Sequence, residues 1–341
     1  MNICLVSPLG FPITPKSRYT GIERLVYEYA CELVKSHNVT VMGHAESIFP
    51  EGVNHLKTNP LSDFILSELL QFQRYQSSFY EFDVVHDFSH QHFASRTMPN
   101  LPSLNIFWHA PALAKYPKAP YNIIALSQWA AREFKRVYQQ EARYQQSILI
   151  DTERYKPLNE PRNDRFLTIG RMSPEKGNLN AIMLCNKLGV PLDIVGGRGA
   201  ERSKHDPLTE YEQAIMDLCD GQRVRFLGEV DDDEKIRLMQ TNRALIYCTN
   251  HPEVTSHKLQ EAMLCGMGVI VPAIGATSEI VTQGVDGFIC SQEYEFVEAM
   301  RHVDTLRPQE TYEALKAKYS RANVCNDYVK LYEEVSKGKR W

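Results

Sequence analysis

The stretch His251 to Gly266, HPEVTSHKLQEAMLCG, holds the residues whose types and spacing best suit chemistry. Thr255 or Ser256 can cap a helix there, and Gly266 can end it in a left-handed turn. The free amides and positive dipole end of such a helix make a site for a phosphate. Glu253 falls just outside the helix and Glu261 on its second turn, so the two carboxylates reach different parts of one extended ligand. A phosphate between them would leave a hydroxyl-rich group at each end. The bland alternative is a solvated acidic face behind an ordinary cap, which uses the same residue types. A second stretch, GRMSPEKG from Gly170 to Gly177, follows an apolar run. Arg171 sits at its carboxyl end and Lys176 just beyond a turn, so two cations can converge on the same phosphates. A lone Arg or Lys is usually surface charge; two at a strand end opposite a helix terminus shift the balance.

Other clusters suit chemistry less well. Asp231-Asp232-Asp233 directly precedes a helical run and reads as an N-terminal cap with a favourable dipole interaction, better than as a cation site. His86, His90 and His92 with Asp87 lack the i, i+4 spacing of the helical zinc motif. Gly196-Gly197-Arg198-Gly199 follows a strand, but the full G-x-G-x-x-G is absent, which argues against a nicotinamide enzyme. No metal ligand set is predicted.

The elements that must position these residues alternate in type. Ile3–Ser7 reads as a strand, Ile22 to Val34 repeats at helical spacing, and Val39–Gly43 reads as the next strand, which makes one βαβ unit of a parallel sheet. Leu61–Tyr80 is predicted as a helix docked through an apolar stripe of Phe64, Leu66, Leu69, Leu70 and Phe72. Strands follow at Val84–His86, Leu104–Trp108 and Ile123–Leu126, and Ser127 caps a helix from Gln128. The polar segment Asp151–Arg165, broken by Pro157 and Pro161, carries the domain boundary. Beyond it come strands at Phe166–Gly170, Leu192–Gly197, Val224–Gly228, Ala244–Cys248 and Val269–Val271, each separated by a helical segment, then two helices over Gln309–Ser336. Two doubly wound α/β domains in tandem are expected to share a cleft at the carboxyl ends of their sheets. The boundaries are placed at 1–157 and 158–318, with 319–341 as a closing helix.

Composition narrows the class of partner. With 42 acidic and 38 basic side chains among 341 residues, the net charge is −4, and the basic excess of a nucleic-acid binder is missing. No stretch approaches the ~20 apolar residues of a membrane span. Peripheral membrane contact has no support in the sequence. Met1–Val6 reads as a first strand, not a signal peptide. The eight cysteines form no Cys-x-x-Cys pair and are expected as small buried hydrophobes in a reducing cytoplasm.

Several blocks, in their order and spacing, resemble one family. GRMSPEKG, VRFLGEV, Glu253-x7-Glu261 leading into EAMLCG, and GATSEIV with Gly284 and Gly287-Phe288 are similar to the donor half of family 4 glycosyltransferases of the GT-B fold. Gly21-Ile22-Glu23-Arg24, His109 after Trp108, IIALSQW, DTERYKP and SRANVCNDYVKLYEEV resemble the rest of that family. The resemblance implies two Rossmann-like domains, with the closing helix crossing back to the first. It also implies retaining transfer of a hexose from a nucleotide diphosphate sugar, without metal and in the cytoplasm, with no cofactor beyond that co-substrate. By position, Arg171 and Lys176 would hold the diphosphate, Glu253 would contact the hexose, and Glu261 would bind the ribose. The backbone at Val254, Thr255 and Ser256 would cradle the distal phosphate, and His109 would approach the sugar from the other domain. Gly21, Gly170 and Gly228 complete the implied donor site. Phe11, Arg18, His90 and Tyr116 are expected, with His109, to line the acceptor pocket. UDP-glucose is the expected donor, with GDP-mannose open. The acceptor is a glycan, a lipid-linked sugar or a small molecule. A sugar-nucleotide epimerase and a catalytically idle nucleotide-sugar binding subunit on the same scaffold are the rival readings.

Overall fold

The structure is a computed structural model that describes residues 1–14, 21–109, 119–198 and 206–341. Two compact units emerge, one of Met1–Ile150 with Lys318–Trp341, the other Asp151–Ala317.

In the first unit, β1 (Asn2–Val6), α1 (Ile22–Leu33), β2 (Asn38–His44), β3 (Asn54–Thr58), α2 (Phe64–Tyr75), β4 (Val84–Asp87), α3 (Phe93–Thr97), β5 (Ser103–Phe107), β6 (Ile123–Ala125), α4 (Gln128–Tyr138) and β7 (Arg143–Tyr144) follow in turn. Ile3, Cys4 and Leu5 are all fully buried without alternation, the signature of a strand covered on both faces. The strands pair in parallel in the order β3-β2-β1-β4-β5-β6-β7. That order reverses between β1 and β4, so the loops after them open at the sheet's switch point, where α/β folds bind ligands. Ser127 caps α4 through the Ala130 amide at 3.1 Å, as expected.

The docking face of α2 differs from the expectation. Phe72 is buried and Leu69 packs beside it in the core, as expected, but Phe64, Leu66 and Leu70 are exposed, and Ser67, Glu68 and Gln71 are buried. The physical reason is Glu68, which reaches under the loop after β4 and accepts the backbone amides of His90 at 2.9 Å and Gln91 at 2.8 Å. Two otherwise unpaired buried donors outweigh an apolar stripe in setting the helix's rotation.

The second unit contains β8 (Phe166–Ile169), α5 (Asn178–Leu188), β9 (Leu192–Val195), α6 (Glu210–Asp217), β10 (Val224–Gly228), α7 (Asp232–Thr241), β11 (Ala244–Ile246), α8 (His257–Leu264), β12 (Gly268–Pro272), α9 (Thr277–Ile280), β13 (Gly287–Cys290) and α10 (Glu293–His302). Its parallel sheet runs β10-β9-β8-β11-β12-β13 and reverses between β8 and β11. Asp193, fully buried in β9, is kept ionised by Arg165 at 2.8 Å, Arg225 at 2.7 Å and Asn242 at 3.0 Å. Burial pushes its pKa up, and those hydrogen bonds more than reverse the push. Asp231 caps α7 through the Glu234 amide at 2.9 Å, the role expected of the acidic triplet.

After α11 (Gln309–Tyr319), α12 (Arg321–Ser336) returns to the first unit, where it buries Val324, Tyr328, Leu331 and Tyr332. Tyr332 bonds His86 Nδ1 at 2.8 Å and Tyr328 bonds Ser147 at 2.6 Å. No helix among the described residues is long and apolar enough to cross a membrane. All eight cysteines are free; Cys31 and Cys219 are half-buried and the others buried.

Candidate active site

The switch point of the second sheet brings together most of the residues singled out in that half of the chain. The loops after β8 and β11 are stitched to each other: Thr249 Oγ1 donates to the Glu175 carbonyl at 2.8 Å, and the Asn250 amide donates to the same carbonyl at 3.2 Å. Gly177 makes this closeness feasible. Its φ is +68°, and a Cβ there would stand 1.9 Å from the Cys248 carbonyl oxygen, so only glycine fits. Gly275, at φ +58°, packs its backbone against that of Glu253 in the same way. The Ala276 amide then donates to the Glu253 carbonyl at 3.0 Å, so the GATSE segment braces Glu253 from behind.

On this frame, Lys176 Nζ pairs with Glu253 Oε1, and the Tyr247 hydroxyl donates to Glu253 Oε2. Burial pushes Glu253 up, but Lys258 and Lys176 together hold it below the usual carboxylate range. Tyr247 is pushed well up by burial and by Glu253, so it stays a donor. Arg171 pairs with Glu175 at 3.1 Å and is more exposed. A Cβ on Gly170 would lie 3.3 Å from Lys176 Cβ and 3.5 Å from Lys258 Nζ, so this glycine marks where the two lysines converge.

Ser256 occupies the N-cap of α8, as the sequence suggests, but its hydroxyl makes no cap bond. It donates instead to Tyr247 at 3.3 Å, and among the described residues the N-cap side chain gives the first amides of α8 no acceptor. Gly266 ends the helix at φ +67°. One turn along, Glu261 pairs with Lys235 at 3.1 Å, and Lys235 also meets Asp232 at 3.3 Å and lies over the Tyr155 ring. Val254 and Ser256 are buried and Thr255 is half-buried. Gly228 reaches this cluster through Gly196, which packs its backbone against the Gly170 carbonyl. It ends β10 at the sheet edge, where its φ of +71° turns the chain and its carbonyl accepts the Gly196 amide at 2.9 Å.

The arrangement is a set of cations held by carboxylates beside an open helix terminus. An incoming diphosphate can take over Lys176 and Arg171, releasing Glu253 and Glu175 to accept from hydroxyl groups. The residues that sequence reasoning missed are the ones that hold or flank the others: Tyr247, Lys235, Tyr155 and Lys258.

In the first unit, the equivalent switch point gathers Phe11, Glu23, His90 and His109. Phe11's amide donates to the Glu23 carboxylate, whose pKa burial raises to about 7. His90 Nδ1 and His109 Nε2 share one hydrogen bond at 3.0 Å with their rings stacked, so one of the two must present an unprotonated nitrogen. Burial, then the His109 and His92 rings, push His90 down to about 3. Gly21 forms the N-cap of α1, and among the described residues no atom stands within 4 Å of a Cβ placed on it. Arg18 and Tyr116 lie outside the described residues.

Residues 150–319 match the family model for glycosyl transferases group 1. A probable sucrose-phosphate synthase of Thermosipho melanesiensis is 27% identical over 193 residues, 54% of this chain and 44% of that protein, so the matched part spans less than half of this curated relative. Among solved structures, AviGT4, a glycosyltransferase involved in avilamycin A biosynthesis, superposes with a TM-score of 0.76 at 20% identity, covering 100% of this chain and 99% of that one. HepE of Anabaena, in complex with UDP and glucose, gives 0.74 at 17% identity over 97% and 99% of the two chains. Sucrose-phosphate synthase of Thermosynechococcus elongatus gives 0.79 at 14% identity over 99% and 100%. The chain thus has the GT-B fold, and its residues 150–319 match the glycosyl transferases group 1 domain.

Proposed function

We propose that this protein transfers glucose, with retention of anomeric configuration, from UDP-glucose to a carbohydrate, lipid-linked or small-molecule acceptor, and that it does so in the cytoplasm. The observation that carries the reading is the Lys176–Glu253–Tyr247 group beside Arg171 and the uncapped α8 terminus, with Glu261 one turn further on. HepE, solved with UDP-glucose, and the relatives named for sucrose-phosphate synthesis support glucose as the hexose. Eight unpaired cysteines support a reducing compartment.

In this reading the C1–O bond to the β-phosphate breaks while the acceptor oxygen bonds C1 from the same face. The acceptor proton goes to the departing phosphate oxygen, and UDP leaves. Arg171 and Lys176 neutralise the charge that grows on that phosphate, the largest source of acceleration available to such a reaction. Side-chain cations in this role make a metal ion unnecessary. Glu253, freed from Lys176, reads hexose hydroxyls; Glu261 reads the ribose; His109, with His90 and Phe11, belongs to the acceptor side.

A thermal-shift panel of UDP, GDP, ADP, UDP-glucose and GDP-mannose tests the donor, since a ligand of the native state raises Tm with its occupancy. UDP and UDP-glucose are expected to give the largest shifts. A response confined to GDP and GDP-mannose would replace glucose by mannose. Nucleotide release must then rise with acceptor, persist in EDTA and yield a retained anomer. Turnover that does not respond to any acceptor would favour the epimerase or idle-subunit readings. Glu261→Gln is expected to raise the donor KM about 10-fold or more, with a smaller fall in kcat, because a ribose contact acts equally in ground and transition states. A kcat effect at unchanged KM would remove Glu261 from the ribose.

A further inference from the structure

Lys258 stands at the second position of α8, where a cation meets the positive end of the helix dipole. Its ammonium lies 5.1 Å from the Tyr247 ring centroid and beside Gly170, and it shares the field of Arg171 and Lys176. Those two cations each have a carboxylate in contact. Lys258 is partly buried and, among the described residues, forms neither a hydrogen bond nor an ion pair.

Three features of this placement therefore cost free energy: the dipole, the repulsion from two neighbouring cations, and an ammonium withdrawn from water without an acceptor. A leucine or methionine would cover the Tyr247 ring with none of these costs. Local rules broken together at one position point to a function absent from the free protein. All three costs reverse when a group carrying two or three negative charges sits on the α8 terminus.

We propose that Lys258 is a third side-chain ligand of the donor's diphosphate, joining Arg171 and Lys176. The proposal rests on the donor-site reading above and adds to it a cation that, among the described residues, no carboxylate contacts in the free enzyme.

Burial, opposed by Glu253 and reinforced by Lys176 and Arg171, brings the Lys258 pKa down to about 8; Glu261 opposes it more weakly. His257 and the Tyr247 hydroxyl are the other titratable groups at this position. The sign follows from linkage. In the free protein the folded state binds the Lys258 proton more weakly than the unfolded chain, so this group's contribution to stability rises between about pH 8 and the ordinary lysine pKa. A bound diphosphate raises the pKa, so binding takes up a proton and weakens as pH climbs above 8.

The test is calorimetric titration of UDP and UMP into the wild type, Lys258→Gln, Lys258→Met and Lys258→Arg from pH 7 to 9.5, each with a melting curve of the free protein. At pH 7, Lys258→Gln is expected to lose about 10- to 100-fold in UDP affinity, and less for UMP, as for a lost charge-assisted hydrogen bond. Lys258→Arg keeps most of the affinity and flattens its decline above pH 8. Free Lys258→Gln or Lys258→Met melts at or above the wild-type temperature, which separates the loss of binding from a folding defect. If either variant fails to fold, the other and the proton uptake of the wild type decide. Uptake at pH 8.5, from titrations in two buffers of different ionisation enthalpy, is expected to be a substantial fraction of one proton. Equal UDP affinity in wild type and the neutral variants, or no proton uptake, overturns the role of Lys258 alone. A wild type that binds no nucleoside diphosphate overturns the donor-site reading and this proposal with it.

Discussion

Lys176→Ala is expected to lower kcat/KM for the sugar nucleotide by about 2–4 kcal/mol, the range for removing one preorganised electrostatic contact to developing charge. Two effects add. The departing diphosphate loses a cation, and Glu253 loses one of the two cations that offset its charge, so more of that charge faces the phosphate. The fold should tolerate the change, because Glu253 keeps the Tyr247 hydroxyl and the field of Lys258. Melting temperature should therefore move little while turnover collapses. Lys176→Arg restores the charge but not the compact ammonium, and recovers part of the loss. Steady-state kinetics against donor concentration check this, and unchanged kinetics in the alanine variant would remove Lys176 from the reaction.

The sheets and the motifs of the second unit are largely legible because they depend on local pattern. Ile3 to Val6 and Val269 to Val271 are apolar without alternation, which is what a strand between two helical layers requires. β3, β7 and β13 lack that signal. β3 is an edge strand reading NHLKT, β7 has two residues, and GFIC in β13 registers as a motif before it registers as a strand. The rotation of α2 is not legible because an apolar stripe is visible in sequence, whereas the amides that bond Glu68 lie 22 and 23 residues away. The same distance problem hid the wiring of the site. Lys176 and Glu253 are 77 residues apart, and nothing local to either reveals that they pair. Lys258 carries a local signal, a cation in the first turn of a helix, but only the fold shows that no acceptor contacts it among the described residues.

Glu253→Gln is expected to move nucleotide binding and sugar transfer in opposite directions. In the free enzyme the carboxylate ties down Lys176, accepts from Tyr247 and offsets Lys258, so it competes with a phosphate for the same cations. An amide neutralises none of them. UDP should then bind several-fold more tightly, since the ion pair it must otherwise break is gone, by roughly 1 kcal/mol after screening of a partly exposed pair. Transfer should instead slow by about 2–3 kcal/mol in kcat/KM, because a charged acceptor for the hexose hydroxyls has been lost. The free variant should also melt lower, with Arg171, Lys176 and Lys258 left crowded around a neutral side chain. A lesion that merely loosened the loop after β11 would weaken UDP binding and transfer together. Measuring UDP affinity by titration beside turnover of UDP-glucose therefore separates the two explanations: parallel losses would show that Glu253 is structural scaffolding, and opposite signs that one carboxylate both guards the phosphate site and reads the sugar.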